Sequence, residues 1–117
     1  MTTQHPIPAS SGQYLISAKE LVAETKPLSC LQSNEVRIAV KATTLCGSDM
    51  HYYQHRKNGT TEIKDSLCLG HEVAGEVVAV GSCAKLRLGD RVAIECGVPC
   101  GPCGLCRDDR YNFCNHT

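Results

Sequence analysis

The chain has 117 residues, room for one modest domain that buries about 65% of its unfolded surface and too few for two full domains. Twelve basic and twelve acidic residues leave no net charge, which removes any electrostatic basis for partnership with nucleic acid or an anionic membrane. Nine cysteines, an odd number, follow a start (MTTQHPIPAS) without an apolar signal core, and no apolar run nears the about 20 residues of a membrane span. The expectation is a reduced, cytoplasmic, metal-binding protein.

Residues 1–11, with Pro6, Pro8, Ser10 and Ser11, lack an apolar period and read as a flexible arm in which His5 is solvated. From Gln13 to Leu21, Tyr14, Ile16 and Ala18 alternate with polar residues and predict a first strand, with Leu15 out of phase on the polar face. ETKPLSCLQSNE, residues 24–35, reads as a connector with Cys30 as a small filler. Residues 35–42 give the clearest strand, Val36, Ile38 and Val40 facing one way, and it delivers Cys46 to its C-terminal end. After Gly47, Ser48 or Asp49 caps a short helix that carries His51 and Tyr52.

Asn58-Gly59 marks a turn, and the chain then reaches Gly70-His71-Glu72. EVAGEVVAVGS predicts a buried strand bent by a bulge or close approach at Gly75, and RVAIE after Gly89-Asp90 predicts a last strand running into Cys96. Short strands between glycine turns imply a mainly β fold, a small barrel or curled sheet with short helices. Cys68 and Cys83 are assigned to packing. No GxGxxG follows any strand, so the chain shows no dinucleotide-binding unit.

Cys100, Cys103, Cys106 and Cys114 lie at spacings of two, two and seven intervening residues, which suits a closed tetrahedral zinc site. Cys100-Gly101-Pro102-Cys103 alone is also a thiol redox motif, but the overlapping Cys103/Cys106 pair and the lack of a long following helix are the wrong context for it. Arg107 and Arg110 stand where they could offset the charge of four thiolates. Upstream, Cys46, Ser48, His51, His71 and Glu72 read as parts of a second, open zinc site.

Taken together, CGSDMHYY at 46–53, GHEVAGEVVAVGS at 70–82, GDRVAIE at 89–95 and the cysteine lobe resemble the N-terminal part of the zinc-dependent medium-chain alcohol/polyol dehydrogenases. Within that family the likeness is strongest to the sorbitol dehydrogenase branch, fungal members in particular. It implies an incomplete GroES-like catalytic domain over 12–117, a structural zinc lobe over 96–117 and no Rossmann domain. It further implies a catalytic zinc on Cys46, His71 and Glu72, a structural zinc on Cys100, Cys103, Cys106 and Cys114, and NAD(P) bound only in the longer family members. Ser48 would take or position the alcohol proton, His51 would pass it to solvent, and Tyr52 would border a small polyol that is oxidised to a ketone by hydride transfer. Family members are homo-oligomers, dimers or tetramers; this chain alone is expected to be inactive.

Adjacent strand residues point to opposite faces, so His71 and Glu72 can share one ion only if the backbone bends beside Gly70. Two departures from the family pattern are Asp109 where glycine is expected and Cys96 where proline is common, the latter adding a fifth thiol near the lobe. A non-catalytic zinc-binding module is the main alternative, and a redox protein using Cys100 and Cys103 is the other.

Overall fold

The structure, a computed structural model, describes residues 8–114. Its first sheet has the order β2(Glu20–Pro27), β1(Ala9–Ser17), β6(Leu67–Cys68), and its second the order β3(Val36–Thr44), β7(Glu72–Val80), β8(Arg91–Ile94). All neighbours in both sheets are antiparallel. Helix α1(Gly47–His55) follows β3, and a small hairpin, β4(Lys57–Asn58) with β5(Thr61–Glu62), turns at Gly59 with φ 59°. The chain closes with α2(Gly104–Arg107) and a 3-10 turn at Tyr111–Phe113. The mainly β architecture with short helices is therefore present, and no helix among the described residues is long and apolar enough to cross a membrane.

The first strand begins earlier than its apolar pattern suggests. Ala9, Ser10 and Ser11, expected in the arm, pair with Pro27, Lys26 and Thr25, while residues 1–7 of that arm, His5 included, lie outside the described residues. The single strand expected over 13–21 is a hairpin, because the chain turns at Lys19, which takes a left-handed φ of 65°. Lysine is not a residue that favours this conformation, so the turn carries no sequence signal. The Lys19 amide donates to the Tyr53 carbonyl at 2.8 Å, tying the turn to the end of α1. The first third of the expected connector, Glu24–Pro27, is thus strand β2.

Leu15, placed on the polar face by alternation, is 0% exposed, whereas Ile16 is exposed. Beyond Leu15 the β1–β2 ladder shifts register before Ser17, leaving Ile16 as an extra residue, so simple alternation does not run to the end of the strand. Val77 of β7, at 1%, is the other fully buried large side chain. The bend expected in β7 is present: the β3–β7 ladder slips between Arg37 and Ile38 and again between Val40 and Ala42. Gly75 sits buried opposite Val40, and a Cβ there would stand 2.6 Å from the Ala39 carbonyl oxygen.

The two larger sheets face each other across a cleft of about 630 Å³ bordered by Gly12, Ile38, Leu69 and Val73 among others. Val40 and Val78 on its wall stay exposed, Val40 at 58%.

Gly75→Ala is expected to cost about 1–3 kcal/mol, because β3 backbone must move to admit one methyl group. The midpoint of urea unfolding of the zinc-loaded protein measures this, and an unchanged midpoint would show that β3 gives way freely.

Candidate metal centres and the adjoining clefts

Helix α1 starts at Cys46, whose extended backbone (φ −112°, ψ 178°) makes it the cap, so neither Ser48 nor Asp49 occupies that position. Asp49 instead reaches back from the third helical residue, its Oδ2 accepting the Cys46 amide at 3.0 Å. The other oxygen, Oδ1, accepts the Gly70 amide at 3.2 Å and His71 Nδ1–H at 3.1 Å. Asp49 is 2% exposed, whereas the sequence signals it only as a helix cap. The signal available for it was an acidic residue in the first turn, three positions after a candidate ligand.

Gly70 turns the chain with φ 87°, and a Cβ there would stand 2.7 Å from Thr43 Oγ1. With Nδ1 held by a carboxylate, Nε2 is the ring atom that presents its lone pair, and it faces Cys46 Sγ at 3.1 Å and Ser48 Oγ at 3.3 Å. Ser48 Oγ and Cys46 Sγ are 2.7 Å apart. Three groups from β3's end, α1 and the start of β7 thus converge on one point.

Their protonation follows from these contacts. The Ser48 hydroxyl, with help from backbone amides and His71 and against burial, lowers the Cys46 thiol below its ordinary value. Burial opposes ionisation of both Asp49 and His71. Backbone amides and the imidazole nevertheless hold Asp49 low, and Asp49 and Cys46 lift His71 above the usual imidazole range. Imidazole nitrogen beside a thiolate, with a carboxylate on the other ring nitrogen, is the donor set and outer support that zinc takes. Cys46, Asp49 and His71 form one of two metal-competent groups among the described residues.

The remaining predicted residues are placed unequally. Glu72 lies outside this trio: as the first residue of β7 it faces Thr44, whose hydroxyl donates to Glu72 Oε2 at 2.7 Å. The bend at Gly70 brings His71 to the cluster without bringing the Glu72 carboxylate there. Tyr52 borders a cleft of about 350 Å³ together with Ser48, Asp49, His71 and Cys96. His51 is exposed on α1 and is not part of that lining. A second cleft, of about 580 Å³, is bordered by Thr44, His71, Glu72 and Cys96.

The other metal-competent group is the lobe. Cys103 and Cys106 sulfurs are 3.4 Å apart, Cys100 and Cys106 3.9 Å, and Cys103 and Cys114 4.0 Å, with all four sulfurs mutually within 4.8 Å. A tetrahedron with Zn–S bonds of about 2.3 Å has edges of about 3.8 Å, so the four thiols fit the ion without rearrangement. Cys96 lies outside this group. Asp109 takes the left-handed conformation (φ 60°) that glycine would, as one of the few residue types that tolerate it.

The redox reading of Cys100 and Cys103 has no support here. The following helix, α2, has four residues, and the Cys100 thiol is raised, its Cys103 amide contact outweighed by burial and neighbouring thiols. Burial and neighbouring thiols push Cys106 up to about 12. The amides of Arg107 and Arg110 are used inside the lobe, on the Cys103 and Leu105 carbonyls. Cys30, Cys68 and Cys83, expected as packing residues, are exposed, since the strands and loops carrying them line no closed core.

Residues 32–117 match the alcohol dehydrogenase GroES-like domain family. The chain belongs to that family. It is similar to the sorbitol dehydrogenase of Bacillus subtilis (strain 168), 41% identical over 112 residues that make up 94% of this chain and 32% of that protein. It is also similar to the D-xylulose reductase A of Aspergillus oryzae, 41% identical over 93 residues, 78% of this chain and 26% of that one. Among solved structures, L-idonate 5-dehydrogenase from Escherichia coli superposes with a TM-score of 0.75 at 31% identity, over 92% of this chain and 31% of that chain. An E. coli oxidoreductase/dehydrogenase of unknown specificity gives 0.79 at 37% identity, over 91% and 31%. The chain therefore spans about a third of the length of the curated relatives it matches. Two further similar solved structures, an alcohol dehydrogenase from E. coli CFT073 (28% identical, TM-score 0.77) and CAD from Helicobacter pylori (29%, 0.76), are complexed with NADH and NADP(H) respectively.

Zinc binding at the lobe is expected to release close to four protons, because all four thiols must ionise and the metal-free cluster holds its protons tightly. Proton release on zinc addition to a weakly buffered sample of the Cys46→Ser protein measures this; a release below about two would mean the thiols are already ionised. Asp49→Asn is expected to weaken metal binding at Cys46 and His71 by about 10–100-fold. In the metal-free protein it should also lower the His71 titration midpoint, since a negative neighbour is lost, and NMR of the ring resolves that shift.

Proposed function

We propose that this chain forms the zinc- and alcohol-binding part of an NAD(P)-dependent polyol dehydrogenase, which oxidises a secondary alcohol of a sorbitol- or xylitol-like substrate to a ketone. The observation that carries the reading is the convergence of Cys46 Sγ, Ser48 Oγ and His71 Nε2 at 2.7–3.3 Å, with Asp49 holding the far side of the ring. In this reading Cys46 and His71 hold a catalytic zinc with Glu72 as the added carboxylate, and Cys100, Cys103, Cys106 and Cys114 hold a structural one. The catalytic zinc would supply Lewis acidity, lowering the pKa of a substrate hydroxyl.

The chain's own residues provide the rest. Asp49 fixes the ring so that Nδ1 keeps its proton and Nε2 stays a donor of electrons. Ser48, beside the cleft that Tyr52 borders, is the hydroxyl placed to take a proton from an alcohol entering there. Tyr52 supplies an apolar ring wall with a polar tip, suited to a polyol's mixed surface. His51, exposed on the same helix, is the group through which the proton leaves to solvent. The 117 residues carry no glycine-rich dinucleotide fingerprint, so the chain by itself is expected to bind zinc and alcohol without turnover.

The test grafts residues 1–117 in place of the matching third of the B. subtilis sorbitol dehydrogenase. The graft is expected to reduce NAD with sorbitol or xylitol, Cys46→Ser to abolish this, and Ser48→Ala to lower kcat by about 10²–10⁴-fold. A folded graft that holds two zinc ions per chain yet shows no turnover would instead favour a non-catalytic zinc-binding module.

A further inference from the structure

The Glu72 carboxylate has two possible employers, and the structure shows it engaged by the one that is not a metal site. Thr44 and Glu72 are register partners at the end of the β3–β7 ladder, so their side chains leave the sheet on the same side. The Thr44 hydroxyl donates to Glu72 Oε2 at 2.7 Å, a short bond to a charged acceptor. Yet Thr44, His71 and Glu72 border one cleft, so the held carboxylate and the imidazole open onto a common space.

A metal held by Cys46 and His71 with Glu72 also coordinated has one position fewer for substrate. With Glu72 held away, that position exchanges freely. We propose that Thr44 is a positioning residue that restrains Glu72 and so sets how fully the carboxylate enters the metal site; this rests on the zinc reading of Cys46 and His71. The device exchanges one hydrogen bond for one metal–oxygen bond. No proton or electron changes hands, and the proposal needs no other reactant.

Cobalt(II) replaces zinc as a visible probe, titrated into the full chain, with Cys46→Ser as the blank that separates this site from the lobe. Thr44→Val keeps the side chain's shape at an exposed position and removes its hydroxyl. It is expected to bind cobalt about tenfold more tightly at the Cys46-dependent site, a hydrogen bond to a charged acceptor being worth at least that factor. Its ligand-field bands should also change as the carboxylate enters. Thr44→Ser, which keeps the hydroxyl, should behave as the parent. The gain should vanish when Thr44→Val is combined with Glu72→Gln.

Equal affinity and spectrum in Thr44→Val and the parent would overturn the proposal, as would the same gain with Glu72→Gln present. If the parent shows no cobalt signal that depends on Cys46, the zinc reading itself falls and this proposal with it, an outcome distinct from the first two.

Discussion

One buried carboxylate joins two stretches of chain some 21 residues apart. Asp49 accepts the amide that opens α1, the amide of Gly70 before β7, and the ring of His71. A buried anion with three donors is stable where an unpaired one would be costly, so each donor is held in place by the needs of the others. The helix cap, the turn into β7 and the imidazole orientation are therefore one interaction seen from three sides. Cys46 and Ser48 inherit their positions from it, because both belong to the first turn of the helix that Asp49 anchors. The electrostatics agree with the geometry: the same contacts that fix the ring favour a charged Asp49 and an ionised Cys46.

The lobe depends on a different balance. Its four sulfurs are close enough for a metal, and without one burial and neighbouring thiols favour the protonated form of Cys100 and Cys106. Such a cluster gains its order from an ion rather than from packing, since Cys114 is the only buried residue among the described part of the lobe. The lobe is also joined to the cleft by a short path. Strand β8 ends at Ile94, Glu95 and Cys96 border the cleft beside His71 and Glu72, and Cys100 follows within a few residues. Tyr111 of the lobe reaches back toward Glu95 Oε2 at 3.5 Å. Order in the lobe therefore fixes one wall of the cleft.

Much of this arrangement was readable from residue types. Strand β3 lies where its apolar alternation puts it, although its burial does not alternate; the close backbone approach in β7 falls at Gly75, a helix follows Cys46, and Asp109 takes the conformation of the glycine it replaces. What could not be read depends on contacts between distant residues. Lys19 makes a left-handed turn because the hairpin and Tyr53 hold it there, with no local preference to announce it. Leu15 is buried although alternation puts it on the polar face, and the register shift that follows it is not something alternation can place. Asp49 reads as a capping residue; it accepts the amide of the cap Cys46 from the third helical position, and its second oxygen serves His71, 22 positions away. Glu72 reads as a ligand by its neighbour His71, and its hydrogen bond with Thr44 is visible only once β3 and β7 are paired.

The sparse core gives these polar contacts more weight than they would have in a larger domain. Leu15 and Val77 are the only large side chains fully buried among the described residues, whereas Val40, Leu45, Leu88, Val98 and Phe113 are exposed. Two such side chains contribute only a few kcal/mol by burial, about 1.5–3 each, which is small against the ordering of so many residues. Ladder pairing between β3 and β7, the Asp49 junction and the lobe sulfurs must then supply much of what fixes the shape. A metal ion in the lobe adds folding energy directly, because ligands that are dispersed in the unfolded chain meet only in the folded one. On that account the four-cysteine lobe is part of the fold's stability as well as a neighbour of the site, and the cleft beside His71 depends on it through the few residues between β8 and Cys100.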